Sequence, residues 1–326
     1  MNIPKLLQQA GSYLNDGNAK SADVVLARIL KKQPQHVDAL NLAGLSAYHR
    51  KRYERADRLL RKVISQDPGR ASAHLNLGAV LNTTNKFDEA AKHYRAALEL
   101  EPNSAVAMCN LGKNFLDQNT LGEAKHWLEA ALRANPDYWI ALHNLGTCLQ
   151  REGNTHEAID TYRRTLEMHD NPLTLSELIV TLRQSDYFEE EYSLATKLLG
   201  MDDVGDLAIS AWETLFDAFD WDGINRSTPR VLALLDDPTT RAQCKSRALL
   251  LLNSLPDLSA QQTYECHRAW AKSLPTNLVP PATNAALPTS KPRLRIGYLS
   301  PDFREHSVGF FCQHLICGHD ADRFEV

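Results

Sequence analysis

The residues best suited to chemistry lie late in the sequence. In Pro301-Asp-Phe-Arg-Glu-His306-Ser307 a histidine sits close to Asp302, Arg304 and Glu305. Imidazole exchanges protons near neutral pH, which makes His306 the candidate catalytic residue. A few residues on, Cys312, His314, Cys317 and His319 place four metal-binding side chains within eight residues. Zinc sites draw ligands from separated stretches so that a chain reversal closes the tetrahedron. These four follow one short helix and its end, so no metal is assigned. The third pattern is Asn76, Asn110 and Asn144, spaced by 34 residues. A primary amide offers two donors and an acceptor, suited to gripping the backbone of an extended peptide without reading its side chains. Asparagine is a poor helix former, so three in register need a reason beyond propensity. The competing reading is a solvated column with no ligand; Leu42 and Gln8 interrupt the register upstream.

These groups need elements to hold them. For His306, the alternation of Leu294, Ile296 and Tyr298 marks a strand over 293–300. Residues 301–307 read as a loop, 308–317 as a short apolar helix, and 324–326 as the start of another strand. Strand, helix, strand is the opening βαβ unit of a parallel sheet, whose ligand-bearing loops leave the carboxyl ends of the strands. No glycine-rich phosphate loop accompanies it, since Gly297 and Gly309 do not form one.

The asparagines belong to a repeat. Pro34, Pro68, Pro102 and Pro136 recur every 34 residues. So do Gly44, Gly78, Gly112 and Gly146, with Ala10 one period earlier, and Ala22, Ala56, Ala90, Ala124 and Ala158. This is the period of the tetratricopeptide repeat (TPR), a pair of antiparallel helices. The small columns let the two helices of a repeat approach closely. Leu77 and Leu81, Leu111 and Phe115, Leu145 and Leu149, with Tyr94, Leu128 and Tyr162 opposite, fill the seam. Each proline ends a second helix. Five repeats follow, at about 3–34, 37–68, 71–102, 105–136 and 139–172. Stacked, they form a superhelix whose concave face is lined by first helices, where the asparagines would lie.

Beyond about 171 the repeat decays into a degenerate pair and a helical connector reaching 274. Helical periodicity persists over 175–182, 188–199, 230–235 and 242–252. The aromatic stripe at Trp212, Phe216, Phe219 and Trp221 reads as core. Ser259 and Gln262 form a capping box ahead of a helix over 264–274. Residues 275–292 hold five of fifteen prolines and read as a semi-rigid linker.

Composition narrows the class. With 36 Lys and Arg against 40 Asp and Glu, the net charge is −4. That lacks the basic excess by which a nucleic-acid binder neutralises phosphates. No apolar run approaches the 18 or so residues of a membrane span, and the first residues lack a secretory apolar segment. Six scattered cysteines without a CxxC read as reduced thiols of a cytoplasmic protein.

Finally, Arg295-Ile-Gly-Tyr-Leu-Ser-Pro-Asp-Phe-Arg-Glu-His306-Ser-Val-Gly309 and Asp322-Arg-Phe-Glu-Val326 closely resemble the start of the catalytic region of the O-GlcNAc transferase and Spindly family. Leu252-Asn-Ser-Leu-Pro-Asp-Leu-Ser259 and His267-Arg-Ala-Trp270 resemble the connector of its bacterial members. The resemblance implies a mostly α chain: a TPR solenoid, a helical connector and the first βαβ unit of a Rossmann-like glycosyltransferase domain at 293–326. It implies transfer of a sugar from UDP-GlcNAc, or another UDP- or GDP-sugar, to Ser or Thr hydroxyls of proteins. His306 matches the family's active-site histidine, as general base or as a polar contact to sugar and acceptor. Asn76, Asn110 and Asn144 resemble its asparagine ladder, which holds acceptor polypeptides. The family's donor-holding residues come mainly from a second catalytic domain that this sequence lacks. The expectation is therefore a chain that binds no cofactor and is inactive alone. The alternative is a non-catalytic TPR adaptor for a polypeptide partner, and an exposed end helix of either could support a homo-oligomer.

Overall fold

A computed structural model describes residues 2–273, except 186, 256 and 257, together with 294–295 and 324–325. The chain divides into two units, 1–267 and 268–326. The first is an all-helical solenoid of antiparallel pairs. They are α1 (Ile3–Asn15) with α2 (Ala19–Lys32), α3 (Val37–His49) with α4 (Tyr53–Gln66), and α5 (Ala71–Thr83) with α6 (Phe87–Leu100). Then follow α7 (Ala105–Asp117) with α8 (Leu121–Ala134), and α9 (Trp139–Glu152) with α10 (Thr155–Met168). Each pair is a first helix followed by an antiparallel second helix.

The columns have the physical roles expected of them. Ala22, Ala56, Ala90, Ala124 and Ala158 are wholly buried. At Gly78 and Gly146 an added Cβ would fall 2.6 Å from the rings of Tyr94 and Tyr162, so the helices of each pair meet at a distance only glycine permits. The prolines act one residue earlier than they stand. Gln33, Asp67, Glu101 and Asn135, each before a proline, are extended at φ −131° to −145°. The proline ring excludes helical geometry from its predecessor, and the helix ends there.

A further column was not read from the sequence. Gly17, Lys51, Asn85, Asn119 and Gly153, again 34 apart, occupy the left-handed region at the turn inside each pair. Each donates its N–H to the carbonyl three residues back, and the next residue donates to the carbonyl five back, as in Asn85 to Asn82 and Lys86 to Leu81. This is the Schellman closure of a helix end.

The same bonds recur where the sequence repeat is lost. Phe219, at φ +55°, donates to Phe216, and Asp220 donates to Leu215. The stretch read as connector therefore contains a further hairpin, α13 (Leu207–Asp217) with α14 (Trp221–Asp236), after the degenerate pair α11 (Pro172–Arg183) and α12 (Phe188–Leu199). α14 begins nine residues before the helix expected at 230. Asp220 caps it by accepting from the Gly223 N–H at 2.9 Å, and it runs through Pro229. The carbonyl that Pro229 leaves unbonded belongs to exposed Asn225, where water can satisfy it. The aromatic stripe splits: Trp212 is fully buried against Phe216, whereas Phe219 and Trp221 face outward.

α15 (Ala242–Leu252) and α16 (Ala260–Ser273) complete the described helices. The capping box forms as expected: the Ser259 N–H donates to Gln262 Oε1 at 3.0 Å, and the Gln262 N–H donates back to Ser259 Oγ at 3.3 Å. In the second unit, β1 (Leu294–Arg295) and β2 (Phe324–Glu325) pair in parallel, Leu294 opposite Phe324. The linker at 275–292, the helix expected between the strands, and His306 with Cys312, His314, Cys317 and His319 lie outside the described residues. The crossover that would make this pair a βαβ unit lies there too.

Candidate functional site

The candidate site is the face presented by the first helices α3, α5, α7 and α9. Its three asparagines share a register but not an environment. Asn76 is half-buried and donates through Nδ2 to Asn41 Oδ1 at 3.2 Å; Asn41 in turn donates to Ser72 Oγ at 3.2 Å. Asn144 is 7% exposed, and its amide donates to the Cys109 sulfur at 3.5 Å. Burial pushes the Cys109 thiol up to about 11, so the pair is a neutral structural contact. Asn110 differs: half-buried, it has no hydrogen-bond partner among the described residues. Its amide retains two donors and an acceptor.

Asn110 lines a concavity of about 500 Å³ shared with Tyr48, Asn82, Thr83, Lys113 and Asp117. Its walls are held in place. Asn114, fully buried, donates to Asn82 Oδ1 at 2.7 Å and to the Phe87 carbonyl at 3.1 Å. Asn82 donates to Asp117 Oδ2 at 2.7 Å, and Lys113 pairs with Asp117 at 2.9 Å. Thr83 and Tyr48 hydroxyls meet at 3.3 Å. The lining is thus a fixed array of amides and hydroxyls with one neutralised charge pair. Amides and hydroxyls of this kind can each donate and accept hydrogen bonds. Asn82 and Asn114 were not picked from the sequence, although both lie on first helices; their own columns do not repeat asparagine. Among the described residues no group of three or more His, Cys, Asp or Glu is placed to hold a metal ion, and no described helix is long and apolar enough to cross a membrane.

Beside Asn144, His143 is a half-buried neutral base. Its Nδ1 meets Thr174 Oγ1 at 2.9 Å, and burial, reinforced by Lys113, lowers its pKa to about 4. Because the unfolded chain titrates near 6.5, it takes up a proton that the folded ring refuses. Stability is full above about pH 6.5 and declines as the pH falls toward 4. We expect a loss of about 2 kcal/mol by pH 4.5 from this residue. Urea titrations of wild type and His143→Gln across pH 4.5–7 test it: the variant should be flatter, and parallel curves would refute the assignment. His93, lowered by burial and by neighbouring His74, contributes in the same direction and remains in the variant.

The comparisons with known proteins follow this geometry. Models of the tetratricopeptide repeat match residues 71–104 and, in a second form, 7–57 and 109–171. Among curated proteins, the chain is 35% identical over 91 residues to the "probable UDP-N-acetylglucosamine–peptide N-acetylglucosaminyltransferase SPINDLY" of Oryza sativa subsp. japonica. It is 33% identical over 91 residues to the protein of that name in Arabidopsis thaliana. Each match takes in 28% of this chain and spans about a tenth of the relative's length. Among solved structures, a thermophilic TPR protein of Thermus thermophilus aligns with TM-score 0.50 and 18% identity, over 55% of this chain and 99% of that one. PilW, a type IV pilus biogenesis factor, aligns equally well (TM-score 0.50, 18%) over 69% and 98%. At those identities the likeness is one of fold: the described helical stack is a TPR solenoid.

Proposed function

We propose that this TPR solenoid is the acceptor-binding part of a SPINDLY-like protein glycosyltransferase, presenting extended polypeptides for sugar transfer. The observation that carries the reading is Asn110: an unpartnered amide, on a first helix, lining a polar concavity whose walls are fixed by their own hydrogen bonds. The SPINDLY relatives and the spelling around His306 support the choice of chemistry. In this reading a Ser or Thr hydroxyl of the bound polypeptide attacks the anomeric carbon of UDP-GlcNAc, or of another UDP- or GDP-sugar. The bond to the nucleotide diphosphate breaks, and the hydroxyl proton passes to a base. His306 is the residue of this chain proposed for that role, or for a polar contact to sugar and acceptor.

The three asparagines then divide their labour. Asn110→Ala should weaken an extended, sequence-varied peptide about 5- to 10-fold, as expected for one lost amide contact of about 1 kcal/mol. Asn144→Ala should lower stability more than affinity, because its amide is engaged on Cys109. Fluorescence titration with a labelled peptide decides this, and unchanged affinity in Asn110→Ala would remove the ladder reading. The second reading, a non-catalytic TPR adaptor, is favoured by the same groove, since solenoids bind polypeptides with or without an attached enzyme. Transfer from labelled UDP-GlcNAc by the natural full-length protein separates the two. An enzyme loses transfer on His306→Ala, whereas an adaptor shows none and binds its partner undiminished.

A further inference from the structure

The turn inside the α13–α14 hairpin puts phenylalanine where the equivalent turns use glycine, asparagine or lysine. Phe219 holds φ +55°, a conformation that bulky side chains rarely adopt, and is 75% exposed. An aromatic that is strained and solvated serves neither the turn nor the core, and such outliers point to function. It has company. Trp221 is 44% exposed, and Tyr187 and Phe188, at the α11–α12 turn, are 39% and 48% exposed. The two turns adjoin: Tyr192, one helical turn along α12 from Phe188, donates its hydroxyl to Asp220 at 3.0 Å. Glu189 and Asp222 flank the aromatics, both exposed and without partners among the described residues.

The complementary surface is on the same chain. Residues 1–66 carry twelve Lys or Arg against five Asp or Glu, net +7, whereas 186–237 carry three against thirteen, net −10. The excess is concentrated at the turn of the second repeat. Lys51, Arg52, Arg55 and Arg58 are exposed, and none has an ion pair or side-chain hydrogen bond among the described residues. Arg55 and Arg58, at i, i+3 on α4, share one face, with Lys51 and Arg52 in the turn just before that helix. Guanidinium groups stack on aromatic faces and pair with carboxylates, the combination the acidic–aromatic patch offers. Arg163 over the Tyr187 ring, 5.5 Å from its centroid, already shows this contact within the chain.

We propose that the chain self-associates through this pair of surfaces, the basic turn of repeat two in one copy docking on the Tyr187–Phe188–Phe219–Trp221 patch of a second copy. Because each copy carries both halves, two chains can engage reciprocally about a two-fold axis, the commonest symmetry of homo-oligomers. The interface is independent of the peptide groove and of the glycosyltransferase reading. Complementary charge steers its formation and makes it salt-sensitive.

Sedimentation velocity on the full chain tests this. The wild type should show a concentration-dependent species of two chains at about 50 mM salt, dissociating toward 0.5 M. Phe219→Gly should weaken association at least tenfold without lowering the melting temperature, since glycine accepts positive φ. Arg52→Glu with Arg55→Glu should weaken it similarly. An equimolar mixture of the two variants should associate more strongly than either alone, because each supplies the half the other lacks. A wild type that stays monomeric at low salt, a dimer indifferent to both variants, or a mixture without rescue would overturn the proposal. Rescue in the mixture also excludes a self-complementary contact of the aromatic patch alone.

Discussion

Arg183→Met is expected to cost about 3 to 5 kcal/mol, because it leaves a carboxylate stranded in the interior. Arg183 ends α11 and ties together the pairs beyond the fifth repeat. Its Nε donates to Glu191 at 3.0 Å and Nη1 to Glu213 at 2.7 Å, while Nη2 reaches the Ser210 carbonyl and Thr214 Oγ1, each at 2.7 Å. Glu191 is only 4% exposed and has one other partner, the Thr214 hydroxyl at 2.7 Å. Glu213 keeps Arg247 at 2.7 Å. Removing the guanidinium therefore strands Glu191 in particular. Adding Glu191→Leu should recover much of the loss, since an apolar pair of similar volume has no charge to desolvate. Urea unfolding of the two variants measures this, and a single-variant loss below about 1 kcal/mol would show that water reaches Glu191. Stability in a solenoid is transmitted between neighbouring pairs. Hydrogen exchange should accordingly rise in α11–α13 and leave α1–α6 protected.

Gly146→Ala is expected to cost about 3 kcal/mol, the upper end of what overpacking usually does. The new Cβ would lie 2.6 Å from Tyr162 Cε1 and 2.7 Å from Cδ1. That ring cannot retreat: it is fully buried, and its hydroxyl is held by Thr147 and Gln150, each at 3.2 Å. Either the ring leaves its place or α9 and α10 separate. A double-mutant cycle with Tyr162→Val tests the cause. The smaller side chain destabilises alone by leaving a cavity, but it should accept the alanine at little extra cost. Additive losses would mean that the glycine is required for something other than the ring.

Much of this molecule was legible because a repeat enforces the same contact many times. One glycine facing one large side chain is ambiguous, but the same step at 44, 78, 112 and 146, against leucine or tyrosine, is not. The turn column at 17, 51, 85, 119 and 153 was equally periodic and went unread because its residue types differ. What is common to it is a sign of φ, which glycine, asparagine and lysine can all adopt. The α13–α14 hairpin was hidden for the same reason. Its backbone bonds reproduce the turn, while Phe219 replaces the residues that would signal it.

The sequence by itself determined the period, the pairing of helices, the positions of the small residues in the seam and the face on which Asn76, Asn110 and Asn144 stand. These follow from local periodicity, which fixes the azimuth of a side chain on its own helix. Only the tertiary structure decided what each of those asparagines does. Asn76 is held by Asn41, Asn144 by Cys109, and Asn110 is left open over a polar concavity. Identical residues in identical register diverge because their partners come from the preceding repeat, where position 41 is asparagine, 75 leucine and 109 cysteine. Periodicity places an amide on the groove, and whether it remains free to bind is set by the neighbour 35 residues upstream in the sequence.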